Sequence, residues 1–263
     1  MPPDYHTHTP LCKHAEGHPR EYAARAVELG LPELGLSDHS PMRSHFDDWR
    51  MEWEEFPRYL EMVEEARAEH PTLPIRLGLE VDYLQGGEAW VEELAQAADF
   101  DYFIGSVHYI APGWDVDNPK YISRFTDGSV DDIWTTYFQI YEKAIRSRLY
   151  DFMGHPDLPK KFGHRPAGDL RRYYEPVIQA LADTDTSFEI NTAGLRKDVR
   201  EMYPAREFLE MAHAAGVPLL INSDAHAPQE VGADFALGIA LAKDVGYTHS
   251  ARFEKRRRTL APL

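Results

Sequence analysis

Two histidines near the N-terminus, His6 and His8, stand two positions apart in the segment 4–9. In an extended strand, side chains at positions i and i+2 point to the same face. Both imidazoles can therefore aim at one point, which the spacing predicts to be a metal ion. The pair alone is a weak signal, because local hydrogen bonds can equally well hold two strand histidines.

The same residue types recur downstream, where short apolar runs end in a side chain that can bind a metal. Asp224 and His226 follow the run 217–221 and again stand two positions apart. Other runs end at His39, Glu80, His108 and His155. Zinc, manganese and iron accept mixed shells of imidazole and carboxylate ligands. With His14 in the first loop, the candidates are too many for one tetrahedral site, so the sequence predicts two or three divalent ions (zinc, iron or manganese).

These ligands need a scaffold that brings the ends of several strands together. Strands are predicted at 4–9, 34–36, 75–79, 102–107, 151–154, 187–191 and 217–221. Helices are predicted at 19–29, 56–69, 88–97, 129–149, 169–183 and 204–215. This alternation favours parallel βαβ units, in which functional groups cluster at the carboxyl ends of the strands. The long segment 109–128, rich in proline, glycine and aromatic residues, is predicted to cover the substrate.

Composition narrows the class of protein. The 263 residues carry 28 Lys+Arg against 44 Asp+Glu, a net charge of −16, which repels long nucleic acids but leaves a small phosphorylated metabolite as a partner. The single cysteine, Cys12, is interpreted as a loop thiol and suits a cytoplasmic protein. No run is apolar and long enough for a membrane partner. We expect one catalytic barrel domain over 1–263, and a homo-oligomer is possible. The basic run 255–258 is interpreted as a solvated helix face.

Taken in order, six motifs resemble the PHP (polymerase and histidinol phosphatase) family of metallophosphoesterases. They are His6-Thr7-His8, Ser37-Asp38-His39, Gly78-Leu79-Glu80, Gly105-Ser106-Val107-His108, Gly154-His155-Pro156-Asp157 and Ser223-Asp224-Ala225-His226. The resemblance implies an α/β fold, a distorted (β/α)7 TIM-like barrel, with a trinuclear metal centre at the carboxyl ends of the strands. By similarity, the three metals are held by His6, His8, Glu80 and Asp224; by Glu80, His108 and His155; and by His14, His39 and His226.

A narrower resemblance is to the histidinol-phosphate phosphatases of this family. Segment 106–119 looks like their substrate loop. Segment 189–197 looks like the segment that supplies a phosphate-binding arginine, which here is Arg196. Segment 162–166 resembles theirs too and makes Arg165 a second candidate. The implied reaction converts L-histidinol phosphate into L-histidinol and inorganic phosphate in histidine biosynthesis, by attack of a metal-bound hydroxide on phosphorus.

Other roles follow from position and composition. Asp38 either transfers a proton or orients its histidine neighbour. Trp114, Asp115 and Asp117 are candidates to bind the ammonium and imidazole groups of the substrate. The main alternative is a phosphoesterase of the same family that acts on nucleotide or oligonucleotide phosphates. An amidohydrolase barrel fits less well, because His108 stands where its bridging lysine is expected, and a metal-binding regulatory protein without turnover fits least well because no ligand position is lost.

Overall fold

The computed structural model describes residues 1–263 and contains ten strands and eight α-helices. The strands are β1 (Leu34–Leu36), β2 (Ile75–Asp82), β3 (Tyr102–Ser106), β4 (Tyr109–Ala111), β5 (Trp114–Asp115), β6 (Phe152–Met153), β7 (Ser187–Asn191), β8 (Leu219–Asn222), β9 (His249–Glu254) and β10 (Arg257–Pro262). The helices are α1 (Pro19–Leu29), α2 (Phe56–Glu69), α3 (Glu88–Leu94), α4 (Ser123–Asp127), α5 (Val130–Ser147), α6 (Arg171–Thr184), α7 (Arg206–Ala214) and α8 (Phe235–Val245).

Six strands form one curled parallel sheet in the order β1-β2-β3-β6-β7-β8. Helices connect most neighbouring strands, because parallel strands need a crossover between them. This is the distorted α/β barrel that the sequence predicts. None of the helices has the length and apolar composition needed to cross a membrane.

The segment 4–9 is not the regular strand that its sequence predicts. It makes isolated parallel bridges on both sides, from Asp4 to Leu34 and from Thr7 to Ala225. The backbone N–H of Tyr5 donates to the Asn222 side chain at 2.9 Å, where a regular ladder would use a backbone carbonyl. The segment thus lies between the first and last strands of the sheet and closes the barrel.

The ring of Tyr102 fills the space inside the barrel below the strand ends. A Cβ atom at Gly35 or Gly78 would clash with this side chain, so both positions require glycine. The Tyr102 hydroxyl donates to the backbone oxygen of Tyr5 at 2.6 Å. One aromatic side chain therefore fixes β1, β2 and the N-terminal segment against β3.

Strands β9 and β10 form an antiparallel hairpin that the sequence analysis did not predict. The basic run 255–258 forms its turn and the start of β10, so its interpretation as a helix face was wrong. Lys255 and Arg256 have left-handed backbone angles, φ 50° and 61°, which a helix does not allow. Phe253 of β9 is buried with Tyr102 and Phe152, so the hairpin covers the end of the barrel away from the predicted ligands.

The segment 109–128 contains the short hairpin β4–β5 and the helix α4 rather than a loop alone. The backbone N–H of Val116 donates to the carbonyl oxygen of His108 at 2.7 Å. This bond places Asp115 and Asp117, which flank Val116, beside the end of β3.

Candidate metal centre and active site

The predicted metal ligands converge at the carboxyl ends of the strands around the side chain of Glu80. We call this set the metal cluster; it consists of His6, His8, His14, His39, Glu80, His108, His155, Asp224 and His226. Glu80 lies within β2, whereas most of the other members immediately follow a strand. The parallel sheet brings them together because all of its strands end on the same side.

The oxygen Oε2 of Glu80 faces the first group of ligands. It lies 3.5 Å from His6 Nε2 and 3.7 Å from His8 Nε2. Asp224 Oδ1 lies 3.7 Å and 3.2 Å from the same two nitrogens. Two ligands at about 2.1 Å from a zinc ion are about 3.4 Å apart when the geometry is tetrahedral. The spacing of this group therefore fits one ion.

The other oxygen of Glu80, Oε1, faces the second group. It lies 2.9 Å from His155 Nε2 and 3.6 Å from His108 Nε2, and it accepts a hydrogen bond from Ser106 at 2.7 Å. Because the two oxygens face different groups, the Glu80 carboxylate can bridge two ions.

The third group consists of His14, His39 and His226, whose ligand atoms all lie within 4.8 Å of one another. His14 Nε2 and His226 Nε2 are 3.0 Å apart. His39 Nδ1 also lies 2.9 Å from Glu80 Oε2, so His39 stands between the first and third groups. The buried thiol of Cys12 lies close to His8 and His226, which leaves it near the cluster as well.

Several of these buried atoms have no hydrogen-bond partner in the protein, namely His6 Nε2, His8 Nε2, His39 Nδ1 and Glu80 Oε2. A buried polar atom without a partner costs about 1–3 kcal/mol. Since these atoms point toward common positions, divalent cations account for all of them together. The donor set of imidazoles and carboxylates fits zinc, iron or manganese.

Burial and charge set the protonation of the cluster. Burial raises the pKa of Glu80, but the surrounding imidazoles, His6 and His108 among them, hold it well below its ordinary value, so the carboxylate is ionised. Burial lowers the pKa of His39 to about 3 despite Glu80, which leaves this imidazole neutral as a ligand must be. Burial also opposes charge on His108, yet Asp82 and Glu80 raise its pKa to about 10. Binding of a metal ion at His108 would therefore release a proton.

Two carboxylates behind the cluster were missed by the sequence analysis. His6 Nδ1 lies 3.0 Å from Glu189 Oε2, and His108 Nδ1 lies 2.9 Å from Asp82 Oδ1. Metal-binding histidines commonly donate their second N–H to such a carboxylate. The sequence contained two signals for these carboxylates. Glu189 is the single acidic residue in the apolar strand β7, and Asp82 stands two positions after Glu80.

Asp38 lies behind the cluster and does not line the cavity. Its Oδ1 accepts from the backbone N–H of His39 at 2.8 Å and lies 3.6 Å from His8 Nδ1, while its Oδ2 accepts from Thr9. Of the two roles considered for Asp38, these contacts favour the orientation of histidines over proton transfer.

A cavity of about 220 Å³, the inner cavity, opens over the cluster. Besides most cluster members, its wall contains Asp117, Leu158, Lys161, Lys197 and Tyr203. Lys161 Nζ lies 2.7 Å from Asp117 Oδ2. Two lysines, one of them paired with a carboxylate, thus lie on the wall of the cavity that opens over the metal cluster.

The two predicted phosphate-binding arginines lie elsewhere. Arg196 donates to the carbonyl oxygen of Ser223 at 2.7 Å and faces Glu230 at 3.3 Å, whereas its neighbour Lys197 reaches the inner cavity. Arg165 pairs with Glu201 and is absent from the wall. Of these two neighbours, Lys197 and not Arg196 therefore lies on the wall of the inner cavity.

A second cavity of about 300 Å³, the outer cavity, adjoins the first and shares five wall residues with it. Its own wall residues are Trp49, Asp115, Asn118 and Pro119. Burial and the neighbouring Asp117 raise the pKa of Asp115 to about 9. Trp114 lines neither cavity; the Arg124 guanidinium lies 4.7 Å from the centre of its ring. The structure therefore puts Trp49, not Trp114, on the cavity wall that the two aspartates share.

The buried side chain of Arg50 connects the outer cavity to the metal cluster. It donates to Asp82 at 2.8 Å and to the carbonyl oxygen of Ser40 at 3.2 Å. Its guanidinium also lies 4.5 Å from the centre of the Trp49 ring. The same arginine thus supports Trp49 and the carboxylate that orients His108.

Comparison with known proteins agrees with this geometry. The model of the PHP domain matches residues 4–193, which carry most of the cluster. The chain belongs to the PHP family. A probable histidinol-phosphatase of Deinococcus radiodurans is 41% identical over 92% of this chain and 93% of its own length. A probable histidinol-phosphatase of Schizosaccharomyces pombe is 25% identical over 97% of this chain and 90% of its own length.

The PHP fold is also seen in a solved relative. A crystal structure of histidinol phosphate phosphatase from Lactococcus lactis, complexed with zinc, L-histidinol and phosphate, superposes with a TM-score of 0.82. It covers 98% of both chains at 21% identity. Asp224 and His226 lie beyond the residues matched by the family model but within this superposition of nearly the whole chain.

We expect Glu189→Gln to lower the affinity of the protein for zinc by about 10–100-fold, because the variant loses the charge that orients His6. Competition with a chromophoric chelator measures this affinity. Glu207→Gln, an exposed position on α7, is the matched control and should bind zinc like the unchanged protein. Equal zinc affinity in both variants would exclude an orienting role for Glu189.

Proposed function

We propose that the protein is a cytoplasmic histidinol-phosphatase that hydrolyses L-histidinol phosphate to L-histidinol and inorganic phosphate in histidine biosynthesis. The observation that carries this proposal is the convergence of the metal cluster on Glu80 beneath a cavity with two lysines on its wall. The 41% identity to the Deinococcus radiodurans relative supports the choice of substrate. A single, buried, unpaired cysteine fits a reducing compartment.

We infer that the metal cluster holds two or three divalent ions, each bound by one of the three ligand groups described above. Bound ions supply Lewis acidity toward phosphoryl oxygens and lower the pKa of a water molecule. Glu80, with its two oxygens facing different groups, would fix the distance between two ions. Residues 1–263 would form the single catalytic barrel domain.

The lysines of the inner cavity act on the phosphate group. The Lys161 and Lys197 ammonium groups bind nonbridging oxygens and keep the phosphorus over the cluster. Lys161 is itself positioned by Asp117, so a carboxylate next to the cavity does not repel the phosphate. This local positive charge allows a chain of net charge −16 to bind an anion.

The outer cavity receives the leaving alcohol. Histidinol carries an ammonium and an imidazole group, and an indole ring with nearby carboxylates is a suitable environment for such cations. Trp49 provides the indole ring and Asp117 an ionised carboxylate next to the phosphate position, with Asp115 and Asn118 on the same wall. The arrangement favours a small cationic alcohol over a nucleotide.

Phosphate release from L-histidinol phosphate tests the proposal, with p-nitrophenyl phosphate as a generic substrate. We expect strong preference for L-histidinol phosphate, loss of activity on chelation, and a large decrease in His226→Ala, which removes a ligand of the third group. Metal-dependent activity without this preference would contradict the substrate and direct attention to nucleotide or oligonucleotide phosphates.

Lys197→Met should lower kcat/KM by about 100-fold, because a cation that stabilises the transition-state oxygens is lost. Arg196→Met, the neighbouring position outside the cavity, should have a much smaller effect. Steady-state kinetics on metal-loaded proteins distinguish the two. A larger loss of kcat/KM in Arg196→Met than in Lys197→Met would assign the phosphate-binding role to Arg196.

Trp49→Ala should reduce the ratio of kcat/KM for L-histidinol phosphate to that for p-nitrophenyl phosphate by roughly 2–30-fold, the range of a cation–π contact. Trp114→Ala should leave this ratio unchanged because Trp114 lines neither cavity. The ratio corrects for any general loss of activity. A constant ratio in Trp49→Ala would exclude this residue from leaving-group recognition.

A further inference from the structure

Three buried tyrosine hydroxyls have no hydrogen-bond partner in the protein: those of Tyr150, Tyr174 and Tyr203. Of these residues, Tyr203 alone lines the inner cavity. Its side chain is only 2% exposed. A buried hydroxyl without a partner is unfavourable for folding, so its position on a cavity wall indicates that a ligand completes its hydrogen bonding.

The hydroxyl of Tyr203 lies in an acidic environment. Burial and the carboxylates of Asp117, Asp157 and Asp224 raise the pKa of this hydroxyl well above its ordinary value. Asp117 and Asp224 themselves line the inner cavity. A phenol is protonated at neutral pH in any case, so Tyr203 can donate a hydrogen bond there.

The backbone of Tyr203 is fixed to the end of β7. Asn191 N donates to the carbonyl oxygen of Tyr203 at 2.6 Å, and Tyr203 N donates back to Asn191 O at 3.0 Å. The side chain of Asn191 also donates to Asp224 Oδ2 at 3.1 Å. The position of the tyrosine is therefore tied to a member of the metal cluster.

The ring of Tyr203 is held from two sides. Lys160 Nζ lies 5.3 Å from the ring centre and forms a fully buried pair with Asp157 at 2.8 Å. The imidazole of His155 meets the ring edge-on at 6.4 Å between centres. These contacts leave little freedom for the ring to turn away from the cavity.

We propose that Tyr203 is a catalytic residue whose hydroxyl donates a hydrogen bond to a nonbridging phosphoryl oxygen of the substrate. The proposal rests on the phosphatase function proposed above. Lys161 and Lys197 share the cavity wall with Tyr203, so the three residues present donors to one tetrahedral anion. The bond strengthens as negative charge builds up on the equatorial oxygens, and no proton is transferred.

The test compares Tyr203→Phe with Tyr174→Phe, which removes an equally unpartnered buried hydroxyl away from the cavity. We expect Tyr203→Phe to lower kcat by about 10–100-fold, somewhat less than for an oxyanion-hole donor of average strength. It should also weaken the binding of inorganic phosphate, measured by calorimetry on the metal-loaded protein. Tyr174→Phe should change neither quantity. Metal content and melting temperature are measured for each variant, and activity is compared per bound metal.

Unchanged kcat and unchanged phosphate affinity in Tyr203→Phe would overturn the proposal, and so would equal losses in both variants. The phosphate measurement does not depend on which ester is the substrate. If the unchanged protein fails to prefer L-histidinol phosphate, the proposed function is wrong, while the difference in phosphate affinity still decides the role of Tyr203.

Discussion

A single buried carboxylate, Glu80, is the constraint on which the site depends. It is 2% exposed, and its two oxygens face imidazole nitrogens delivered by four other parts of the chain. An isolated buried carboxylate would be very unfavourable, so the surrounding histidines stabilise the fold as well as supplying potential metal ligands. The segment 4–9 closes the barrel and thereby brings His6 and His8 to the Glu80 carboxylate.

Much of the site could be predicted because parallel strands end on one side of a sheet. Most of the predicted ligands follow or end an apolar run, and helices α1 and α2 begin and end where the sequence places them. The position of Lys197, rather than Arg196, on the cavity wall could not be predicted, since the 3-10 turn Thr192–Arg196 decides which of the two neighbouring side chains enters the cavity. The contact between His6 and Glu189 joins residues 183 positions apart, and no local pattern reports such a pair.

The elements that were missed have weak local signals for a common reason. The hairpin β9–β10 alternates charged and apolar residues over short strands, and its burial comes only from packing under the barrel. The segment 4–9 has strand-like residues, but side chains of Asn222 and Ser37 accept hydrogen bonds from its backbone. In both cases the tertiary environment decides the local structure. Two cluster members, His155 and Asp224, also adopt left-handed backbone angles, φ 23° and 53°, which cost of order 1 kcal/mol each and occur often at functional sites.

The side chain of Arg50 links the outer cavity to the metal cluster. Its guanidinium contacts both the Trp49 ring and the Asp82 carboxylate that orients His108. Coupling free energies between two sites are reciprocal. If fixing His108 raises the affinity of the protein for the leaving alcohol, the bound alcohol must raise the affinity of the protein for the metal by the same factor. A ligand in the outer cavity and a cation at Glu80 would then each raise the affinity of the protein for the other.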